Sequence, residues 1–243
     1  MQSPSKPLVV ITGASSGIGA ATAQAFSLAG YPLLLLARRL PEMEALNLPN
    51  TLCRQTDVLD RAAIKSAIAE AESRFGPVEF LINNAGIMLN GDPAQQSPEE
   101  WDQMIDVNLK GVMNGIHAVL PAMVAREGGT IVNIGSIAGR KTFGAHSVYC
   151  ATKFGVHALT ETIREEVSQK NVRLITIAPG MVGTDLIHHS TDEAAKAGWL
   201  DYAAKIGGAL IPEDIAAAIL YACQAPQRVC IREIVICPTK QEP

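Results

Sequence analysis

The feature that most constrains this chain is a series of short apolar runs with helical stretches between them. They are PLVVIT (7–12), PLLLLA (32–37), VEFLIN (78–83), GTIVNI (129–134), VRLITI (172–177) and REIVIC (232–237), with TLCRQTD (51–57) as a weaker seventh. Most are continuously apolar rather than alternating, as strands buried on both faces of a parallel sheet are. Helical patterns fill the gaps at 17–30, 61–76 and 98–128. Strand alternating with helix predicts an α/β doubly wound sheet with right-handed crossovers.

Stop signals agree with that parsing. Gly30, Gly76 and Gly128 follow periodic helices, and Ser97 before Pro98 reads as an N-cap followed by a first-turn proline. With 243 residues, no repeat and no internal linker, residues 1–243 read as a single domain. Residues 185–211 break the strand rhythm beyond the carboxyl end of the sixth strand, where open α/β sheets bind ligands. They read as a substrate lid.

Composition narrows the partners. A formal charge of −4 and no basic stripe argue against nucleic acid. The start MQSPSKPLVVITG is too short in apolar residues for a signal h-region, and the run at 33–37 is far below the roughly 18 residues that span a bilayer. Five cysteines without a CxxC pair suit a reducing compartment, so the expectation is a cytoplasmic protein with no membrane partner.

The first strand runs into TGASSGIG (12–19) and then a helix. Glycine permits a tight turn and close approach of a phosphate to the helix N-terminus, although G-x-x-x-G-x-G matches the general dinucleotide fingerprint only in part. A glycine turn without a ligand is the alternative. After the second strand come Arg38 and Arg39, where an NAD-binding fold places an acid on the ribose 2′-hydroxyl. Two guanidiniums there suit a 2′-phosphate; otherwise they are solvated loop residues. Tyr149 and Lys153, four apart at a helix start, share a face at about 5 to 6 Å between Cβ atoms.

Together TGASSGIG, NNAG (83–86), Asn108, Ser136, YCATK (149–153) and PG (179–180) resemble, in order and over nearly the whole chain, the short-chain dehydrogenase/reductase family. The resemblance implies a Rossmann-type seven-stranded parallel sheet of order 3-2-1-4-5-6-7 with a nicotinamide dinucleotide across its carboxyl edge. By position, Gly13, Ser15, Gly17, Ile18 and Gly19 would bind phosphates, Asp57 and Val58 the adenine, and Asn84, Ala85 and Gly86 the adjoining ribose. Pro179, Gly180, Val182 and Thr184 would lie at the nicotinamide end. Cys150 and Thr152 depart from the usual residues there. The ARR turn, the VYCATKFGVHALTETIREEV helix and the REIVICPTKQ tail are similar to an NADP-using subgroup that includes 3-hydroxy acid dehydrogenases and reductases of small aldehydes. The family also implies a homodimer or homotetramer through the helices at 98–128 and 148–168 and the last strand.

Reducing a carbonyl requires a proton on its oxygen, and a tyrosine of ordinary pKa near 10 gives one up poorly at neutral pH. A lysine cation one turn away would lower that pKa, so Lys153 is expected to tune Tyr149, and the family implies that it also bonds the nicotinamide ribose. Ser136, at the end of a strand, would hydrogen-bond the substrate oxygen. Asn108, mid-helix, takes from the family a water-holding role in a proton relay to Lys153. His188 and His189 read as polar lid residues rather than metal ligands, so no metal is expected. Cys150 reads as packing, and Met104, Val107, Val112 and Met113 as a core stripe. Arg140 and Lys141 either face solvent or attract an acidic substrate.

The expected protein is thus an NADP-dependent oxidoreductase interconverting a carbonyl and an alcohol on a small polar substrate, possibly a 3-hydroxy acid. The alternatives are a silent dinucleotide-binding sensor and an NAD-linked alcohol dehydrogenase.

Overall fold

The computed structural model describes residues 6–242. The lead MQSPS, part of the stretch read above for targeting, lies outside the described residues, as does Pro243. Seven parallel strands form one sheet: β1 (Leu8–Thr12), β2 (Leu33–Ala37), β3 (Thr51–Gln55), β4 (Val78–Asn83), β5 (Gly129–Ile134), β6 (Val172–Pro179) and β7 (Glu233–Ile236). Their spatial order is β3-β2-β1-β4-β5-β6-β7. The order reverses at β1, so the carboxyl ends of β1 and β4 flank the switch-point crevice.

Among the described residues, eight α-helices connect them: α1 (Gly17–Leu28), α2 (Leu40–Glu44), α3 (Arg61–Phe75), α4 (Pro98–Ile105), α5 (Gly111–Ala125), α6 (Ser147–Val167), α7 (Glu193–Lys205) and α8 (Pro212–Gln224). The pleat divides the strands between two cores. Val9, Ile11, Leu33 and Leu35 pack with Phe26, Ile215 and Ile219 from α1 and α8. Leu8, Val10, Leu34 and Leu36 pack with Ile64, Ile116 and Val119 from α3 and α5. Leu33 to Leu36 are at most 1% exposed. Each contributes about 2 kcal/mol of burial, which explains a run with no polar alternation.

The expected caps hold at Ser97, whose hydroxyl accepts from Glu100 N at 3.3 Å, and at Gly30 and Gly76, with φ of 83° and 87°. Gly128 departs from expectation. The left-handed residue after α5 is Glu127 (φ 53°), and Gly128 is not among the positive-φ glycines.

The helix read over 98–128 is interrupted. Asp106–Lys110 form a π turn between α4 and α5, a wider turn often found at functional sites. The core stripe holds at Met104 and Val112, while Met113 is 44% exposed. The face α5 buries is that of Val112, Ile116 and Val119, and Met113 lies beside it, turned out. Among the described residues, no helix is long and apolar enough to cross a membrane.

Candidate active site

A cavity of about 690 Å³ opens at the carboxyl edge of the sheet, lined from the glycine turn after β1 across to the segment after β6. Of the residues assigned from the sequence to catalysis or cofactor binding, all but Gly19 and Asn108 line it. Those two act from behind its wall. A Cβ on Gly19 would stand 2.2 Å from the Gly13 carbonyl oxygen, so the helix can approach its own turn only with glycine there. Asn108 is 1% exposed on the π turn. Its amide oxygen accepts from Ile87 N and its Nδ2 donates to Ile87 O, both at 2.8 Å. The side chain thereby braces the backbone after the NNAG segment, and its Nδ2 also donates to Thr152 Oγ1 at 3.3 Å.

The glycine turn is shaped for an anion. Gly13 and Gly17 have φ of 65° and 51°, and a Cβ on Gly13 would meet Ala85 Cα at 2.7 Å. Asn84 braces the turn, its Nδ2 donating to Thr12 O and Gly13 O, both at 3.1 Å. Ser16 caps α1 without a side-chain bond, and the first turn holds no acid, so its free N–H groups face the cavity unopposed. Over this turn lies Arg39, which donates to Ser15 Oγ at 3.2 Å and to Ser16 Oγ at 2.8 Å and reaches Glu42 at 4.0 Å. Arg38 lines the same end. His189 is also there: burial, then Arg38 and Arg39, push its imidazole pKa down.

At the other end, Ser136 follows β5, and Tyr149 and Lys153 project from the first turns of α6. All three are buried. Ser136 Oγ donates to Pro179 O at 3.5 Å and accepts from Ala138 N at 3.0 Å, and its hydroxyl lies near enough to the Tyr149 phenol to lower the phenol's pKa. Lys153 Nζ donates to Ile134 O at 2.8 Å and lies 5.6 Å from the Tyr149 ring centre.

Burial pushes the phenol up to about 12, against the smaller lowering by Ser136, and burial holds the lysine down at about 8; Lys153 is not among the groups that move the Tyr149 pKa.

The wall beyond Tyr149 is largely apolar, with Met88, Phe143, His146, Met181, Ile187 and Trp199. His146 Nδ1 donates to Gly144 O at 2.6 Å and its Nε2 meets Asn90 Nδ2 at 2.9 Å; burial lowers its pKa against the Gly144 bond. Arg140 pairs with Glu233 on β7, and Lys141 lies 5.8 Å over the Phe143 ring; neither lines the cavity. Cys150, 3% exposed, packs with Met88, Leu89 and Met104. Among the lining residues, His146 was not singled out from the sequence, while Ser16, Trp199 and Gln241 entered it only as members of TGASSGIG, the 185–211 stretch and REIVICPTKQ. Gln241 accepts from Met181 N at 2.9 Å from 60 residues away.

A family model described as short chain dehydrogenase matches residues 7–195. The chain belongs to that family and is an oxidoreductase of its type. It is 38% identical over 242 residues to an uncharacterized oxidoreductase of Listeria monocytogenes, covering 96% of this chain and 97% of that one. It is 40% identical to another of Staphylococcus saprophyticus, covering 96% of each. Among solved structures, the closed form of a serine dehydrogenase complexed with NADP+ superposes with a TM-score of 0.90 at 33% identity, covering 97% of this chain and 96% of that one.

Proposed function

We propose that the protein is an NADP-dependent oxidoreductase that interconverts small carbonyl compounds and alcohols. The observation that carries this is the meeting, in one cavity, of the Ser136 and Tyr149 hydroxyls and Lys153 with an anion-ready glycine turn and two arginines. The cradle fits a phosphorylated dinucleotide, because positive-φ glycines, a free helix N-terminus and Arg39 above it leave backbone N–H groups and cations where phosphates need them. Gly13, Ser15, Gly17 and Ile18 would hold the pyrophosphate, Arg38 and Arg39 the 2′-phosphate, Asp57 and Val58 the adenine, and Asn84, Ala85 and Gly86 the adjoining ribose. Pro179, Gly180, Val182 and Thr184 would flank the nicotinamide. When bound, NADPH supplies the hydride.

The chain's own groups handle the oxygen. A carbonyl oxygen between Ser136 and Tyr149 would accept a bond from each hydroxyl, and the Tyr149 proton would pass to it as negative charge develops. Lys153, held near 8 by burial, can exchange a proton at physiological pH and would restore the phenol. The apolar wall favours small uncharged aldehydes and ketones over the 3-hydroxy acids that the subgroup resemblance suggested. We read residues 185–211 as a lid on a single catalytic unit. The exposed Met113 and Phe154 support a dimer or tetramer built on α5 and α6, and five free cysteines support a cytoplasmic setting.

The test is initial rates with NADPH and NADH on butanal, 2-butanone and, in reverse, 3-hydroxypropionate. NADPH with an uncharged carbonyl should be fastest. No turnover on any of them would overturn the enzyme reading, and a preference for 3-hydroxypropionate would overturn the substrate reading.

A further inference from the structure

His157 lies on α6 one turn beyond Lys153, with a side chain 16% exposed, on the far side of the Ser136 loop. Its Nε2 accepts the Ser136 backbone N–H at 3.3 Å. A Cβ on Gly135 would stand 2.2 Å from this nitrogen, and one on Gly139 2.6 Å from it. Neither glycine is among those with positive φ, so what requires glycine on both sides of Ser136 is the closeness of the imidazole, not the turn.

Because Nε2 is an acceptor, the ring proton sits on Nδ1. Nδ1 faces Glu233 Oε1 at 3.5 Å, and that buried oxygen has no hydrogen-bond partner of its own. The other carboxylate oxygen of Glu233 is held by Arg140, the residue that ends the short 3₁₀ turn after Ser136. A closed circuit results: Ser136 main chain, His157, Glu233, Arg140, and back to the same loop.

We propose that His157 is a positioning residue for Ser136, oriented by Glu233, which fixes the serine main chain from behind and ties the reacting edge of β5 to β7. This rests on the reading of Ser136 as a group that engages the carbonyl oxygen. The ring is suited to a fixed role, since burial, then Lys153 and Arg140, keep it neutral down to about pH 4. Protonation would turn its acceptor into a second donor facing the Ser136 N–H.

His157→Gln and His157→Leu separate positioning from packing, because a glutamine oxygen falls near the place of Nε2 and a leucine offers no acceptor. Glu233→Gln, milder for folding, probes the second link. Three quantities are measured in each full-length variant: amide hydrogen exchange at Ser136, the NADPH dissociation constant, and kcat for butanal. The Leu variant should exchange the Ser136 amide about tenfold faster and lose about tenfold in kcat with NADPH affinity unchanged, the scale of one lost buried hydrogen bond. The Gln variant at 157 should recover most of both, and Glu233→Gln should fall between. Unchanged exchange in the Leu variant, or equal damage in Leu and Gln, overturns the proposal. Should the wild type reduce no carbonyl, the catalytic reading of Ser136 falls, while the exchange comparison still decides whether His157 holds it.

Discussion

Lys153 and Tyr149 share one face of α6, yet the lysine amine is bonded to the Ile134 carbonyl at 2.8 Å and stands 5.6 Å from the tyrosine ring centre. In the proposed mechanism the phenol, raised by burial, stands beside a lysine of lowered pKa, and its proton would move as negative charge builds on the substrate oxygen. Tyr149→Phe removes that proton and little else. Turnover should fall by about 100-fold or more while the NADPH dissociation constant stays within about twofold. Stopped-flow reduction and cofactor fluorescence titration check the two halves, and a variant with full activity ends the mechanism.

The strands were legible because burial on both sheet faces leaves an uninterrupted apolar run. The faintest, β3, is an edge strand whose Thr51, Cys53 and Gln55 are not fully buried. The glycine turn, the arginines and the Tyr–Lys pair were legible because their spacing is local. The π turn at 106–110 was not, since one extra residue in a turn leaves no mark on composition. Nor was the His157 circuit, whose members at 136, 140, 157 and 233 meet only through the β5-β6-β7 order. The upward push on the Tyr149 pKa was not legible either, because burial depends on the closed fold and not on i, i+4 spacing.

Gly19 touches no cavity surface, yet it sets the cavity's shape. A methyl group there would stand 2.2 Å from the Gly13 carbonyl oxygen and 2.6 Å from Asn84 Nδ2. Backbone cannot swing aside, so Gly19→Ala should push α1 off the turn, destabilise the fold by about 1–3 kcal/mol, and weaken NADPH at least tenfold. Urea denaturation and cofactor titration measure this. Wild-type values for both would show that the turn yields without cost.

Residues 185–211 are pinned near both ends: Ser190 Oγ donates to Asn90 O at 2.8 Å, and Leu210 accepts from Gly183 N at 2.8 Å and donates to Met181 O at 2.9 Å. Between these points α7 presents Leu200 and Tyr202 at 54% and 38% exposure and is followed by Gly207 and Gly208 with φ of 85° and 112°. Limited proteolysis of the free protein should therefore cut first within 193–208, and NADPH with a carbonyl substrate should slow that cut. Cleavage at equal rates with and without ligands removes the lid from the account.

Stability should fall with acid in a window set by His157. Its folded pKa is near 4 against about 6.5 unfolded, so the unfolded chain binds the extra proton between those values. The contribution is complete above about pH 6.5 and is lost as pH falls towards 4, by up to about 3 kcal/mol. His146 and His189 are shifted the same way, so the comparison is with His157→Gln. Its urea midpoint should decline less steeply than the wild type's across the window. Parallel curves would mean that burial of His157 carries no protonation cost.

Arg39 lies across Ser15 and Ser16, above the unopposed N-terminus of α1, with Arg38 beside it. A 2′-phosphate placed there would meet two cations where an NAD-selective site has an acid, so NADPH should bind far more tightly than NADH. Arg39→Ala removes one charge-assisted contact and should weaken NADPH about tenfold, while Arg38→Asp adds repulsion and should cost at least as much. NADH, lacking the phosphate, should change little in either variant. The effect is electrostatic at an exposed site, since the Arg39 side chain is 52% exposed, so the gap between the cofactors should narrow at high salt. Dissociation constants for both cofactors at about 20 mM and 500 mM salt test each step. If the wild type binds NADH as tightly as NADPH, the arginines only brace the glycine turn, and the cofactor assignment falls with them.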